Sequence, residues 1–126
     1  MPRNIPVGNG DLLITFDRFY RVRDLYFPHV GRFNHTEGHV QRFGVWVDGR
    51  FAWVEEATWK RTLKYKPGTL ITDVILRNEE LKLEITCNDC VDFNEPVYIR
   101  RCIVRDLANK DRDVRLFSHC DLSLPG

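Results

Sequence analysis

The sequence predicts an all-β protein, an antiparallel β-sandwich forming one domain over residues 1–126. Three observations carry this. Short runs alternate apolar and polar residues with a period of two. Turn-forming pairs, Asp48-Gly49 and Pro67-Gly68 among them, punctuate the runs. No window places apolar residues at helical spacing between caps. Most strands have one charged and one apolar face, which favours two packed sheets over a barrel.

Residues 11–16 (Asp-Leu-Leu-Ile-Thr-Phe) are a short apolar run between Gly8-Asn9-Gly10 and Asp17-Arg18, and read as a strand. Residues 19–27 read as its hairpin partner, ending at Pro28, which has no amide hydrogen for a ladder. Residues 43–47 and 50–54 flank Asp48-Gly49. A two-residue Asp-Gly between apolar runs marks a hairpin, because both turn positions need positive φ. In residues 57–66, Ala57, Trp59, Arg61, Leu63 and Tyr65 share one face, and lysines and threonines fill the other. This is the pattern of a half-exposed antiparallel strand. Pro67-Gly68 then turns the chain into a strand over residues 69–77, and Asn78-Glu79-Glu80 turns it again.

Leu81, Leu83, Ile85 and Cys87 line one face of the next strand. Residues 97–107 are apolar at both parities, which predicts a strand central in its sheet, with Arg100, Arg101 and Arg105 needing partners or solvent. After a turn at residues 108–113, a last strand over residues 114–124 places Val114, Leu116, Ser118, Cys120, Leu122 and Leu124 on one face. Eight or nine strands are expected in all.

A formal net charge of +1 with 29% charged residues gives no field of one sign, so neither nucleic acid nor an anionic membrane is an expected partner. No apolar run approaches the length of a membrane span, and the first residues lack a signal-peptide core. A cytoplasmic protein is the expectation. The four cysteines (Cys87, Cys90, Cys102, Cys120) lack the dense spacing of a secreted disulfide scaffold. Cys87 and Cys90 are three apart on a strand and point to opposite faces, so neither a redox pair nor a zinc knuckle follows from them. They read as buried free thiols.

Residues 28–41 form an irregular loop, rich in turn formers, between regular strands. A loop of that length in a compact strand-rich domain is more often functional than incidental. His29, Asn34, His35, His39 and, at its exit, Arg42 are the candidate contacts with a substrate or a neighbouring domain. His35-Thr36-Glu37-Gly38-His39 only superficially resembles a zinc-protease helix, because its glutamate is misplaced and Gly38 disfavours a helix. No metal and no cofactor are expected: His29, His35 and His39 read as loop histidines hydrogen-bonded to backbone or to a neighbouring domain, with a loop metal site built from the three as the lesser alternative. Trp59, in phase with Leu63 and Tyr65, is assigned to the core. Trp46 and Trp53 are out of phase with the other bulky residues of their strands. At least one should face outward, where it could stack on a sugar ring.

Several runs resemble a known family. Ile5-Pro6-Val7-Gly8-Asn9-Gly10, Tyr26-Phe27-Pro28-His29-Val30-Gly31, Asn34-His35-Thr36 and Arg42-Phe43-Gly44-Val45-Trp46-Val47-Asp48-Gly49 are similar, in order, to the start of the microbial glucoamylase-like proteins of glycoside hydrolase family 15. The likeness is densest over residues 5–53 and continues thinly to about residue 121. It implies an amino-terminal, supersandwich-like β-domain that packs on an (α/α)6-barrel catalytic domain, in enzymes that hydrolyse α-glucans and related oligosaccharides. The family's catalytic glutamates lie in the barrel, so no catalytic residue carries over. Glycoside hydrolysis needs two carboxyl groups at a set separation. Asp24, Glu37, Glu55 and Glu56 are the acids off the polar strand faces, and no spacing fixes two of them as a pair. The resembled sandwich is longer than this chain, which is expected to be its amino-terminal part or a short relative. An incomplete sandwich leaves an unpaired edge, so a homo-oligomer is also expected. A carbohydrate-binding module using Trp46 or Trp53 with loop His and Asn residues is the alternative.

Overall fold

A computed structural model describes residues 5–28 and 33–124, and within them ten strands and no helix. The strands are β1 (Ile5–Gly8), β2 (Leu13–Phe16), β3 (Val22–Tyr26), β4 (Arg42–Val47), β5 (Arg50–Trp53), β6 (Trp59–Tyr65), β7 (Thr72–Asn78), β8 (Leu83–Val91), β9 (Tyr98–Asp106) and β10 (Val114–His119). They form three antiparallel sheets, ordered β1-β2-β3, β10-β4-β5 and β6-β7-β8-β9. Val22 and Gln41 exchange both backbone hydrogen bonds, which joins the first two sheets into one layer facing the third. Ile14, Phe16, Phe43, Val45 and Val47 from one layer meet Trp59, Val74, Leu76, Leu83 and Ile85 from the other in a single buried cluster.

The hairpins follow from their turn chemistry. Asp48 and Gly49 have φ of 52° and 74°, so both central residues of the β4–β5 turn are left-handed, as a primed hairpin turn requires. Gly68, at φ 72°, takes the left-handed corner after Pro67. β6 buries Trp59 while Lys60, Thr62 and Lys64 stay in water, and β8 buries Leu83, Ile85, Cys87 and Asp89 on one face.

Three expectations fail. Ile5–Gly8 pairs with β2 as a strand ahead of the first expected one, which makes ten strands where eight or nine were expected. β9 is the edge of its sheet, not a central strand. Its mixed parity has a different cause. Tyr98, Arg100 and Cys102 share the inward parity and are half-buried, whereas Ile99 and Ile103 lie 45% and 47% exposed on the outer face. The final strand stops at His119, and its inward parity is only thinly covered, with Leu116 left 39% exposed. The two edges therefore bound an open seam between the layers. A cavity of about 180 Å³ lies there, lined by Ile14, Val22, Leu25, Tyr98, Arg100 and Leu122 among others.

Burying Arg100 requires an answering charge, and Asp89 on β8 supplies it. The fully buried Asp89 carboxylate accepts from Arg100 Nε at 3.0 Å, Tyr20 Oη at 2.6 Å, Thr72 Oγ1 at 2.8 Å and Tyr98 Oη. Burial pushes both phenols above their ordinary range, so they stay protonated donors. The guanidinium carbon also lies 4.8 Å from the Tyr20 ring centre and 4.9 Å from that of Phe43. Removing one member of such a buried pair strands the other. Asp89→Ala is expected to lower stability by about 3–5 kcal/mol in urea titrations. A loss of under ~1 kcal/mol would show that Arg100 finds equal compensation elsewhere.

Candidate interaction surface

On β4, Phe43, Val45 and Val47 point into the core, so Arg42, Gly44 and Trp46 point out. The ladders place Phe51 opposite Trp46 and Trp53 opposite Gly44 on β5, and Arg115, Phe117 and His119 opposite Trp46, Gly44 and Arg42 on β10. Every one of these neighbours has outward parity. The solvent face of β5-β4-β10 therefore gathers Trp46, Phe51, Trp53 and Phe117 with two arginines and a histidine.

Gly44 makes the centre of this face possible. A Cβ there would lie 2.5 Å from Phe51 Cζ and 2.9 Å from Trp53 Cε3, so the glycine lets both rings rest on the sheet. The rings meet edge to face: Phe51 and Trp53 at 4.8 Å and 86°, Phe51 and Phe117 at 5.6 Å and 69°. Guanidinium groups cap the indoles, Arg42 at 4.1 Å from the Trp53 ring centre and Arg115 at 5.1 Å from that of Trp46. Arg42 is itself held by Glu55, which also binds Arg21 at 2.9 Å. Phe51 and Phe117 each remain 44% exposed.

A sugar stacks its CH face on a bare, flat ring, and here a cation lies over each indole. Aromatic rings and arginines are the side chains enriched where protein interfaces concentrate their energy.

The loop residues do a different job. Asn34 Oδ1 accepts from the amides of Leu25 and Thr36, and its Nδ2 donates to Asp24 at 2.8 Å. His35 is buried, with Nδ1 2.8 Å from Ser123 O and Nε2 3.0 Å from Phe27 O. The Gln41 amide grips Asp121 on both sides, donating to its carbonyl and accepting from its N–H. The loop is thus stitched to β3 and to residues 121–123. His39 stays exposed, 3.7 Å from Asp121 Oδ2. His29 lies outside the described residues. Of the candidate residues, the structure brings Arg42, Trp46 and Trp53 together on the outer sheet face, and keeps Asn34 and His35 apart from them as internal struts.

The singled-out acids are also occupied. Asp24 is buried against Thr15 Oγ1 at 2.7 Å, Glu55 bridges two arginines, Glu56 caps the Trp53 amide, and Glu37 accepts from Ser123 Oγ at 3.2 Å. Among the described residues no group of three or more His, Cys, Asp or Glu side chains could hold a metal ion, and no helix is long and apolar enough to cross a membrane. Sequence reasoning missed Phe51, Arg115, Phe117 and His119 as part of this face. The signal was present: each falls on the parity opposite to its strand's inward residues, and Gly44 marks where large neighbours crowd the backbone.

No family model matches the chain. It is 29% identical over 119 residues to an uncharacterized glycosyl hydrolase of Methanocaldococcus jannaschii, a match covering 94% of this chain and 18% of that protein. The chain therefore spans less than a fifth of its relative's length. No solved structure matches.

Gly44→Ala should displace the Phe51 ring and destabilise the fold by about 1–3 kcal/mol. Urea melts with near-ultraviolet circular dichroism measure both effects. An unchanged aromatic signal would mean that the rings do not lie on the sheet.

Proposed function

We propose that this chain is an accessory β-sandwich domain of a glucoamylase-like glycoside hydrolase. The aromatic-arginine face of β5-β4-β10 packs on an (α/α)6-barrel catalytic domain, and the loop over residues 28–41 is held near the substrate cleft. The observation that carries this reading is the capped, edge-to-face aromatic surface, which is built to meet protein more than to cradle sugar. The relative's description as a glycosyl hydrolase supports the setting, as does the small share of its length that this chain covers. Asp24, Glu37, Glu55 and Glu56 are engaged in structural bonds, and this reading assigns bond cleavage to the neighbour.

A separately produced barrel domain should bind this chain and gain activity or thermal stability from it. Phe117→Ala should weaken that binding about 30-fold, the effect of losing one hot-spot side chain. An absence of both binding and stabilisation would remove the docking role. The exposed Phe51 and Phe117 rings favour a second reading, a carbohydrate-binding module. Titrating tryptophan fluorescence with maltose-type and isomaltose-type oligosaccharides separates the two: a saturable shift supports the module, and silence supports docking.

Without its neighbour the chain presents unpaired strand edges, β9 and β10 among them, flanked by exposed Ile99, Ile103 and Leu116. Such edges pair with a second copy. Light scattering should give a mass that rises with concentration. A monomer at high concentration would discard self-association.

A further inference from the structure

Cys87 on β8 and Cys102 on β9 are directly opposed in the ladder, with sulfur atoms 3.6 Å apart. Opposed residues in an antiparallel pair alternate between hydrogen-bonded and non-bonded positions, and the side chains come closer at the non-bonded ones. The ends of this ladder set its phase. Asp92 N–H donates to Val97 O at one end, and Leu107 N–H donates to Lys82 O at the other, both at 2.9 Å. Each is a bonded position on the same diagonal. Cys87 and Cys102 lie an odd number of steps from either end, so both ends place them at a non-bonded position. There the Cα atoms sit about 4.5 Å apart, inside the range a disulfide spans.

The two thiols differ in access. Cys87 is fully buried, whereas Cys102 is half-buried on the inward face of the edge strand, beside the open seam. The Cys87 thiol bonded to it, helped by the Arg100 guanidinium, holds the Cys102 pKa below the ordinary thiol range. The same shared bond, together with burial, pushes Cys87 up. Cys102, the less buried member of the pair, is therefore the one that ionises first.

We infer that Cys87 and Cys102 form an oxidation site, a dithiol that a hydroperoxide closes into a disulfide stapling β9 to β8. The Cys102 thiolate attacks one oxygen of hydrogen peroxide. The O–O bond breaks, a Cys102 sulfenic acid forms, and the departing hydroxide takes up a proton to become water. Cys87 sulfur then attacks Cys102 Sγ. The S–O bond breaks, the Cys87 proton leaves with the hydroxide as a second water, and the S–S bond forms. Two thiols are oxidised and one peroxide is reduced. This site is independent of the docking role, since both sulfurs lie in the sheet facing away from the aromatic surface.

The test treats the native chain with stoichiometric hydrogen peroxide, then unfolds and alkylates it for mass spectrometry. All four cysteines are free before treatment. Afterwards alkylation should fall from four sites to two, with a mass loss of about 2 Da for the two hydrogens removed and one cross-linked peptide pair holding Cys87 and Cys102. A double variant, Cys90→Ser with Cys120→Ser, leaves the buried pair untouched and should lose both remaining alkylation sites on oxidation. Cys87→Ser should trap Cys102 as a sulfenic acid that a dimedone probe labels. Four alkylated cysteines after peroxide, cross-links running through Cys120, or no loss of sites in the double variant would each overturn the assignment.

Discussion

The Asp89 carboxylate is the constraint on which the two layers depend. It is fully buried and takes hydrogen bonds from the segment after β2, from β7 and from β9, so one side chain fixes three separate pieces of chain. A buried ion pair is weak evidence for stability, because desolvating both charges offsets much of their attraction. What it supplies here is register. Arg100 reaches Asp89 only if β9 pairs with β8 in the observed alignment, and a one-residue slip would carry the guanidinium to the outer face. Tyr20 adopts a left-handed backbone, φ 62°, that is uncommon for a large side chain. Its ring stacks on Phe16 at 5.3 Å and its hydroxyl is held by Asp89, which together offset that strain.

The outer face of β5-β4-β10 has the opposite logic. Nothing in the core calls for its aromatic rings, and solvating them is unfavourable. Their edge-to-face geometry and the arginine caps recover part of that cost in the free domain. Under the proposed docking role, a neighbouring domain would cover the rest. The described part of the loop, residues 33–41, takes no part in the aromatic cluster, but Asn34, His35 and Gln41 pin it to β3 and to the segment after β10. Its described part is an ordered strut and not a loose flap.

The seam between β9 and β10 links these two themes. Both strands are sheet edges, both carry inward parity that is only half covered, and the cavity between them is lined mainly by apolar side chains with Arg100 at its wall. Cys102 lies on that same inward face of β9, two residues from Arg100, so the less buried thiol of the pair sits on the edge strand that borders the seam.

Alternation, turn residues and the lack of helical spacing were enough to read the all-β class, the Asp48-Gly49 hairpin, the inward faces of β6 and β8 and the burial of Trp59, because each is a local property of a few consecutive residues. The outward parity of Trp46 and Trp53 was half legible for the same reason. Four features were not local. The edge position of β9 depends on which strands pair, and an apolar run at both parities reads alike in a central strand and in an edge strand facing an open seam. Asp89 and Arg100 look like ordinary polar residues until two strands are aligned. Cys87 and Cys102 stand fifteen positions apart in the chain and become neighbours only through the phase of a ladder. Phe51, Trp53 and Phe117 come from different strands and form one surface only because Gly44 leaves room between them. Pairing across strands is where the sequence falls silent, since the partner of each residue is chosen by the whole core and not by its own neighbours.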